Sequence, residues 1–236
     1  MFGGVALGSA PPKDAWAQPR LVVHVSVDQL RADYLTRFYR FLPGGGLKRL
    51  LDGGAWFTDA HYGYGVTFTG PGHAVQLTGA YAYRNGIVGN IWYSAKEGKM
   101  VAPCDDSSTT LTGVDTEQPG ASPRSLLATT VGDVLISSTQ KRARVVALSL
   151  KDRASVFMAG HLGTAAWFDR AVGRFVSSSY YGALPRWVAQ LNARDLPGKD
   201  FGKTWARRGP KEAYALATAD DVEWEEPSHG LGRTFP

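Results

Sequence analysis

Cysteine is almost absent from this sequence, and its scarcity narrows the possible chemistry. Cys104 is the only cysteine among 236 residues, so the chain cannot form an internal disulfide. A single thiolate also excludes the zinc knuckles that need several cysteines. None of the five histidines belongs to an H-x-x-x-H or H-E-x-x-H pair, the spacing that marks a helical zinc site. The sequence therefore shows no thiolate-based or paired-histidine metal motif.

Long apolar runs and dense clusters of one charge are lacking as well. No stretch approaches the ~18 uninterrupted apolar residues that a membrane span requires. The net charge is +5, and the chain carries neither a Lys/Arg block nor a recognisable nucleic-acid module. We therefore predict no membrane span and no nucleic-acid partner. The mild basic excess indicates either a solvated surface or an attraction for anions such as phosphate esters.

Residues 1–19 differ in composition from the rest of the chain. They are rich in small residues, and Ala15-Trp16-Ala17 has the A-x-A shape of a signal-peptidase site. The apolar segment before this triplet is short, and it lacks a basic start. Two interpretations stay open, namely the remnant of a signal peptide with a mature start near Gln18, or a flexible leader.

Apolar segments of strand length alternate with amphipathic helices along the chain. Residues 21–27 and 144–150 are β-branched runs typical of buried strands, whereas 30–41 and roughly 122–136 have helical spacing. The polar, turn-rich stretch 91–120 predicts a hairpin or a surface insertion. This alternation predicts an α/β fold, a three-layer sandwich with a largely parallel central sheet.

Charged side chains follow both apolar strands, where open α/β sheets bind ligands. Asp28 comes directly after the first strand and is either the N-cap of the next helix or a hard oxygen ligand for a divalent cation. Lys151 and Arg153 follow the second strand and flank Asp152. In extended geometry the two side chains point the same way and could bind a phosphoryl group together. The alternative is that both are solvated cations.

The stretch Thr69-Gly70-Pro71-Gly72 predicts a sharp turn into a helix. Thr69 is either a helix N-cap or a hydroxyl nucleophile placed over the positive end of the helix, beside backbone N–H groups that could bind an anion. His73 lies one helical turn further on, as a packed side chain or as a base for that hydroxyl. Asn90 is either a turn residue or an amide donor to phosphate.

Four motifs occur together in an order that resembles the alkaline phosphatase superfamily: "VSVDQLRADYL", "TFTGPGHAVQLTG", "GIVGNIWY" and "VALSLKDRASVFMAGH". The nearest resemblance is to the phosphate-irrepressible alkaline phosphatases, whose nucleophile is a threonine. The similarity runs from about residue 20 to about residue 210. It implies hydrolysis of phosphate monoesters through a phosphothreonine intermediate, at a site with two zinc ions.

The resemblance implies a role for each candidate residue. Asp28 matches the first metal-binding aspartate, and Thr69 matches the nucleophile that also contacts a zinc ion. Asn90 matches the amide that donates to a nonbridging phosphate oxygen. Lys151 and Arg153 match the Lys-x-Arg pair of the monoesterases. Two cations favour a monoester, because its dianion carries one more charge than a diester.

The sequence departs from the family pattern in its metal ligands and at one motif position. Two zinc ions need about six protein ligands, and only Asp28 and Thr69 match. The resemblance thus implies that 20–236 is the N-terminal portion of the catalytic domain, with most ligands beyond residue 236. It also implies a periplasmic or secreted monomer. Asn85 stands where many superfamily members have a histidine, and the motif histidine His73 is no metal ligand in the family.

Rival functions stay open. A phosphodiesterase or nucleotide pyrophosphatase of the same superfamily would share Asp28, Thr69 and Asn90 but not the cationic pair. A sulfatase is disfavoured because no arginine follows Thr69 at the motif spacing. A third interpretation is a non-catalytic truncated fragment that binds phosphate weakly.

Overall fold

The structure is a computed structural model that describes residues 19–204 and 206–224. The residues up to Leu30 and those from Arg31 onward form separate units, and each is considered by itself. The expected leader, residues 1–19, lies outside the described residues except for its last residue, so its A-x-A triplet is not described. Within the described residues, no helix has the length and apolar character needed to cross a membrane.

The segment 21–27 is not a strand, so this prediction was wrong. Its backbone forms no ladder, and its apolar side chains are exposed, with Val22 at 77% of its full accessibility. β-branched residues favour extended backbone, but a strand exists only where a neighbour supplies hydrogen bonds. Among the described residues no strand pairs with this segment, and its sequence pattern could not reveal that. The segment ends in a turn at Asp28 and Gln29, and Gln29 adopts a φ of 59°.

The helices from Arg31 onward are short. Those that bear on the site or the core are α1 (Ala32–Arg37), α2 (Gly46–Gly53), α3 (Thr69–Thr78), α4 (Ala82–Asn85), α5 (Val131–Ser138), α6 (Asp152–Ala159), α7 (Arg186–Asn192), α8 (Leu196–Asp200) and α9 (Lys211–Tyr214). The predicted helix at 30–41 is formed by α1 and a 3₁₀ turn at Tyr39–Phe41.

The helix predicted over 122–136 begins later than expected, at Val131. Thr130 is its N-cap, and a capping box joins Thr130 to Asp133: the Asp133 amide donates to Thr130 Oγ1 at 3.0 Å, and the Thr130 amide donates to Asp133 Oδ2 at 2.9 Å. Before this cap the backbone donors have other partners. The amide of Leu126 bonds to Pro123 and that of Leu127 to Asn85, which keeps this stretch irregular.

The strands form two sheets within the described residues. The polar stretch contains the predicted hairpin, of β1 (Trp92–Ser94) and β2 (Lys99–Val101). The larger sheet has the order β4-β3-β7-β6-β5, with strands β3 (Asp105–Thr112), β4 (Pro119–Ala121), β5 (Val146–Ser149), β6 (Thr164–Asp169) and β7 (Arg174–Ser178).

This larger sheet is mixed rather than largely parallel. Only β5 and β6 run parallel among its described pairings, with α6 as their crossover. The pairs β3–β4, β3–β7 and β6–β7 are antiparallel. The turn at 170–173 between β6 and β7 is too short for a parallel crossover, so it forces an antiparallel return. The α/β fold class is confirmed.

Helix α6 links the sheet to the region of Thr69. It packs on β5 and β6 and also contacts α3. Val156 and Phe157 are fully buried, and Ser155 Oγ lies 2.9 Å from the carbonyl oxygen of Ala147 and 2.8 Å from that of Ala166. This packing fixes α6 against the parallel strands. The residues that start α6 and α3 are the ones singled out in the sequence.

Candidate active site

Thr69 is the first residue of α3 and not its N-cap. Phe68 occupies the cap position with extended backbone (φ −64°, ψ 163°) and makes no side-chain cap. The hypothesis that Thr69 is a plain N-cap is therefore wrong. The Thr69 side chain is half-buried, whereas the next two residues, Gly70 and Pro71, are buried. The helix thus begins with a hydroxyl at the edge of the core.

The first turn of α3 does not offer its backbone donors to an anion in the way the sequence suggested. The Gly70 amide donates to Asn90 Oδ1 at 2.8 Å, Pro71 has no N–H, and the Gly72 amide donates to the Phe68 carbonyl at 2.8 Å. The amides of Gly70 and Gly72 are therefore taken up within the protein rather than facing an anion. Side chains must therefore supply part of the hydrogen bonding to any anion at this helix end.

Asn90 is placed directly beside the start of α3. Because the Gly70 amide can only donate, the atom facing it must be the amide oxygen of Asn90. This contact fixes the orientation of the side chain, and its Nδ2 group points away from Gly70 as a donor. A Cβ atom at Gly70 would lie 3.1 Å from the Gly89 carbonyl oxygen and 3.2 Å from Asn90 Oδ1. Glycine at position 70 therefore permits the close approach.

Asn85 controls the loop that delivers Asn90, a role that sequence reasoning missed. Its side chain is fully buried, donates to the Ala80 carbonyl at 2.6 Å and accepts from the Ile87 amide at 2.9 Å. Its own carbonyl accepts from the Leu127 amide at 2.9 Å. Asn85 thus joins the end of α4 to two other segments. The "NG" dipeptide that begins at Asn85 was the available signal, since it marks a tight turn.

His73 contacts the main chain of Thr69. Its Nδ1 lies 2.7 Å from the Thr69 carbonyl oxygen, and because a carbonyl only accepts, the ring nitrogen donates. The side chain is buried. This geometry supports a packed histidine that ties the first turn of α3 together.

Lys151 and Arg153 lie at the start of α6. Lys151 is the N-cap residue with extended backbone, and Arg153 is the second helical residue. Arg153 Nη1 lies 3.5 Å from Asp152 Oδ1, so the two neighbouring side chains form an ion pair. Arg153 Nε is buried and has no hydrogen-bond partner. Buried donors are rarely left unpaired, so this guanidinium is suited to an additional acceptor.

The described residues do not by themselves fit a two-zinc site. Among them, no three His, Cys, Asp or Glu side chains group closely enough to hold a metal ion. Asp28 is exposed and lies in the unit that ends at Leu30. It is not the N-cap of α1, because that position belongs to Arg31.

A separate cavity of about 350 Å³ lies between the β6–β7 turn and the helices α7 and α8. Its lining is mainly apolar and includes Leu150, Phe168, Phe175 and Leu196. It contains none of the candidate residues, so the chemistry of the side chains, rather than this cavity, defines the candidate site.

Comparison with known proteins identifies the family. Residues 22–223 match the model of the type I phosphodiesterase / nucleotide pyrophosphatase family, and the chain belongs to this family. It is 40% identical over 219 residues to the alkaline phosphatase PafA of Elizabethkingia meningoseptica, which covers 92% of this chain and 40% of PafA. It is 38% identical over 216 residues to the alkaline phosphatase PhoV of Synechococcus elongatus, covering 91% of this chain and 39% of PhoV. The resemblance to the alkaline phosphatase superfamily is confirmed.

Solved structures agree with this membership. The crystal structure of wild-type PafA matches with a TM-score of 0.83 and 39% identity, covering 89% of this chain and 41% of the PafA chain. A PafA variant in which one threonine, one asparagine, one lysine and one arginine are replaced also matches with a TM-score of 0.83, at 37% identity and the same coverage. The chain thus spans about 40% of the length of the relatives it matches.

Proposed function

We propose that this chain carries the phosphoryl-binding part of an alkaline phosphatase-type enzyme that hydrolyses phosphate monoesters. The observation that carries the proposal is the hydrogen bond from the Gly70 amide to Asn90 Oδ1, which orients the Asn90 amide at the residue that follows Thr69. The substrates are small phosphate monoesters, and neither a nucleic acid nor a second copy is required. The signal-type residues 15–17 favour a periplasmic or secreted location.

The replaced residues of the PafA variant support the choice of residues. They are the same four types as Thr69, Asn90, Lys151 and Arg153. The threonine and asparagine replaced there are as far apart in sequence as Thr69 and Asn90, and the lysine and arginine as far apart as Lys151 and Arg153. This agreement supports the assignment of these four side chains to phosphoryl transfer.

Each side chain has a distinct task in the proposed reaction. The Thr69 oxygen attacks phosphorus, the bond to the leaving alcohol breaks, and a phosphothreonine forms that water later hydrolyses. Asn90 Nδ2 donates to a nonbridging oxygen as negative charge develops there. Since the amides of Gly70 and Gly72 are occupied, we assign the remaining charge to Lys151 and to the buried Nε and planar fork of Arg153.

The threonine also needs activation, because an unassisted alcohol is a poor nucleophile at neutral pH. A divalent metal supplies that activation in two-metal hydrolases. The described residues of this chain do not complete such a site. We propose that Asp28 contributes one ligand, that zinc is the metal, and that the other ligands belong to the part of the relatives that this chain does not match.

Phosphate affinity tests the assignment of Arg153. We expect Arg153→Lys to weaken the binding of inorganic phosphate about ten-fold or more, because lysine keeps the charge but removes the Nε donor and the planar fork. Titration calorimetry on the 236-residue protein gives the dissociation constants. The matched control is Arg186→Lys, at an exposed position at the start of α7. Equal affinities for wild type and Arg153→Lys would refute the assignment.

A phosphodiesterase is the second candidate, because the family description names that activity. The two candidates differ in how they use Lys151. For a monoesterase, Lys151→Ala should reduce the affinity for phenyl phosphate more than that for diphenyl phosphate. An equal reduction for both would favour the diesterase. We also expect the isolated chain to hydrolyse aryl phosphates negligibly, and chelator-sensitive turnover by this chain alone would contradict the proposed sharing of metal ligands.

A further inference from the structure

Four tyrosines form a continuous aromatic surface, which we call the tyrosine strip: Tyr62, Tyr64, Tyr81 and Tyr83. Neighbouring ring centroids are 5.5 Å apart for Tyr62–Tyr64, 5.9 Å for Tyr64–Tyr81 and 6.5 Å for Tyr81–Tyr83. These separations lie within the range of attractive aromatic contacts. The strip is therefore a single surface rather than four scattered side chains.

The strip is exposed although it is apolar. Tyr62, Tyr81 and Tyr83 retain 69%, 45% and 79% of their full accessibility. A cation also contacts it: the guanidinium carbon of Arg84 lies 5.9 Å from the centre of the Tyr83 ring. Exposed aromatic surfaces of this kind mark binding sites more often than chance.

The strip borders the start of α3 through Tyr64. A Cβ atom at Gly72 would lie 3.9 Å from the Tyr64 hydroxyl, so Tyr64 borders the first turn of the helix. Gly72 is three residues after Thr69, and helical residues three apart lie on the same face. Tyr81 follows the C-terminal end of α3 in the chain, and its ring packs against that of Tyr64, so the strip joins the segments on either side of the helix.

Ring contacts and a close approach at Gly63 hold the strip together. The Tyr81 side chain lies so close to Gly63 that an added Cβ atom there would overlap its hydroxyl and displace the ring. Tyr64 is half-buried between its two aromatic neighbours. A preformed aromatic surface loses little side-chain entropy when a flat ligand stacks on it.

We propose that the tyrosine strip is the leaving-group subsite, and that the preferred substrates are phosphate monoesters of planar aromatic alcohols or nucleosides. This inference rests on the proposed function, because the phosphoryl group must sit at Thr69 for the ring to reach Tyr64 and Tyr62. The recognised chemistry is a flat ring joined to a phosphate. Stacking tolerates different rings because each presents a π-face.

Ligand binding to the 236-residue protein tests the subsite. We expect phenyl phosphate and adenosine 5′-monophosphate to bind about three- to ten-fold more tightly than glycerol 2-phosphate. The affinities for phenyl phosphate and adenosine 5′-monophosphate, compared with each other, show whether the subsite prefers aryl esters or nucleotides. Tyr64→Leu should remove the advantage and leave the affinity for glycerol 2-phosphate unchanged. Because Tyr64 is half-buried, its replacement could also destabilise the fold. Tyr62→Leu is therefore a second variant, since Tyr62 is exposed and its replacement should leave the fold intact.

The matched control is Tyr93→Leu, a 63% exposed tyrosine of β1 outside the strip, which should change nothing. If phosphate binds but aromatic and aliphatic esters bind equally, the subsite is refuted and the proposed function stands. If adenosine binds in a Tyr62-dependent way but phosphate does not, the proposed function fails and aromatic recognition remains. Binding of none of these ligands at millimolar concentration, as expected if another polypeptide segment covers the strip, would overturn both.

Discussion

Asp133 shows how a single buried carboxylate can organise several segments. Its side chain is 3% exposed and accepts from the Thr130, His161 and Leu162 amides, and it lies 3.1 Å from His161 Nδ1. Burial would raise the pKa of Asp133, but the hydrogen bonds from Thr130, His161 and Leu162 outweigh it and lower the pKa. The carboxylate therefore stabilises the fold in its charged form.

We expect Asp133→Asn to reduce the free energy of unfolding by about 2–4 kcal/mol at neutral pH, since an amide presents N–H groups to donors. Because the native pKa lies below the ordinary value of about 3.9, the stabilisation is complete above that value and disappears as pH falls through the native pKa. Urea unfolding from about pH 5 downward should therefore show the two proteins converging.

The exposed Asp115→Asn serves as the control and should track wild type at each pH. A stability difference between wild type and Asp133→Asn that stays constant into strong acid would show that the hydrogen bonds to the charged form are not the cause.

The turn after α4 is the element that delivers Asn90, and Gly86 is its critical position. Gly86 has a φ of 82°, and an added Cβ would lie 2.7 Å from the Ser125 carbonyl oxygen and 2.9 Å from Leu127 Cγ. Gly98, in the β1–β2 turn, has a φ of 65° with nothing within 4 Å. The two glycines therefore share the backbone strain but differ in steric overlap.

Replacing each of these glycines with alanine separates the free-energy cost of the left-handed backbone from the cost of steric overlap. We expect Gly98→Ala to lose about 1 kcal/mol of unfolding free energy, from the left-handed conformation alone. Gly86→Ala should lose about 2–4 kcal/mol, because overpacking against backbone is added. It should also weaken phosphate binding through Asn90. Equal losses at the two positions, measured by urea unfolding, would show that the surrounding backbone gives way without cost.

The elements also show what sequence patterns can and cannot specify. Local signals placed the β1–β2 hairpin correctly, because turn residues act within a few positions. They also indicated a helix after Thr69, but the predicted sharp turn at residues 69–72 was wrong, since these residues form the first turn of α3. The pattern at 144–150 yielded β5, while the similar pattern at 21–27 yielded no strand. The two segments differ because β6 forms hydrogen bonds with β5, whereas no described strand pairs with residues 21–27. The composition of a segment does not indicate whether a pairing strand exists.

The candidate site was predictable in its residue types but not in its contacts. The motif around Thr69 and the Lys-x-Arg pair could be recognised in the sequence. The bond from Gly70 to Asn90 joins residues twenty positions apart, and only the fold could show that it takes up a backbone donor expected to face an anion. The role of Asn85 was missed for the same reason, since its partners Ala80 and Leu127 belong to different segments.

At the scale of the whole molecule, the described surface is unusually apolar at one sheet edge. β5 is an edge strand of the larger sheet, and its alternate residues Val146 and Leu148 are 53% and 47% exposed. Val131 and Val134 of α5 are exposed as well. Unprotected apolar edges favour association between chains.

We expect the isolated 236-residue chain to associate as its concentration rises, and Leu148→Lys to shift it toward the monomer, because a charge blocks edge pairing. Sedimentation velocity at several concentrations gives the distribution. Gln190→Lys, which adds the same charge at an exposed position of α7, is the control. Identical association of wild type and both variants would show that the β5 edge is not the contact.

The burial of Asn85 also bears on how the protein ages. An asparagine followed by glycine is the dipeptide most prone to spontaneous deamidation, in which the next backbone nitrogen attacks the side-chain carbonyl. Here both ends of that amide are engaged and no solvent reaches it, so the cyclisation is blocked while the fold persists. Isoaspartate at position 85 would then accumulate only in molecules that have opened, making it a chemical record of past unfolding in a stored sample.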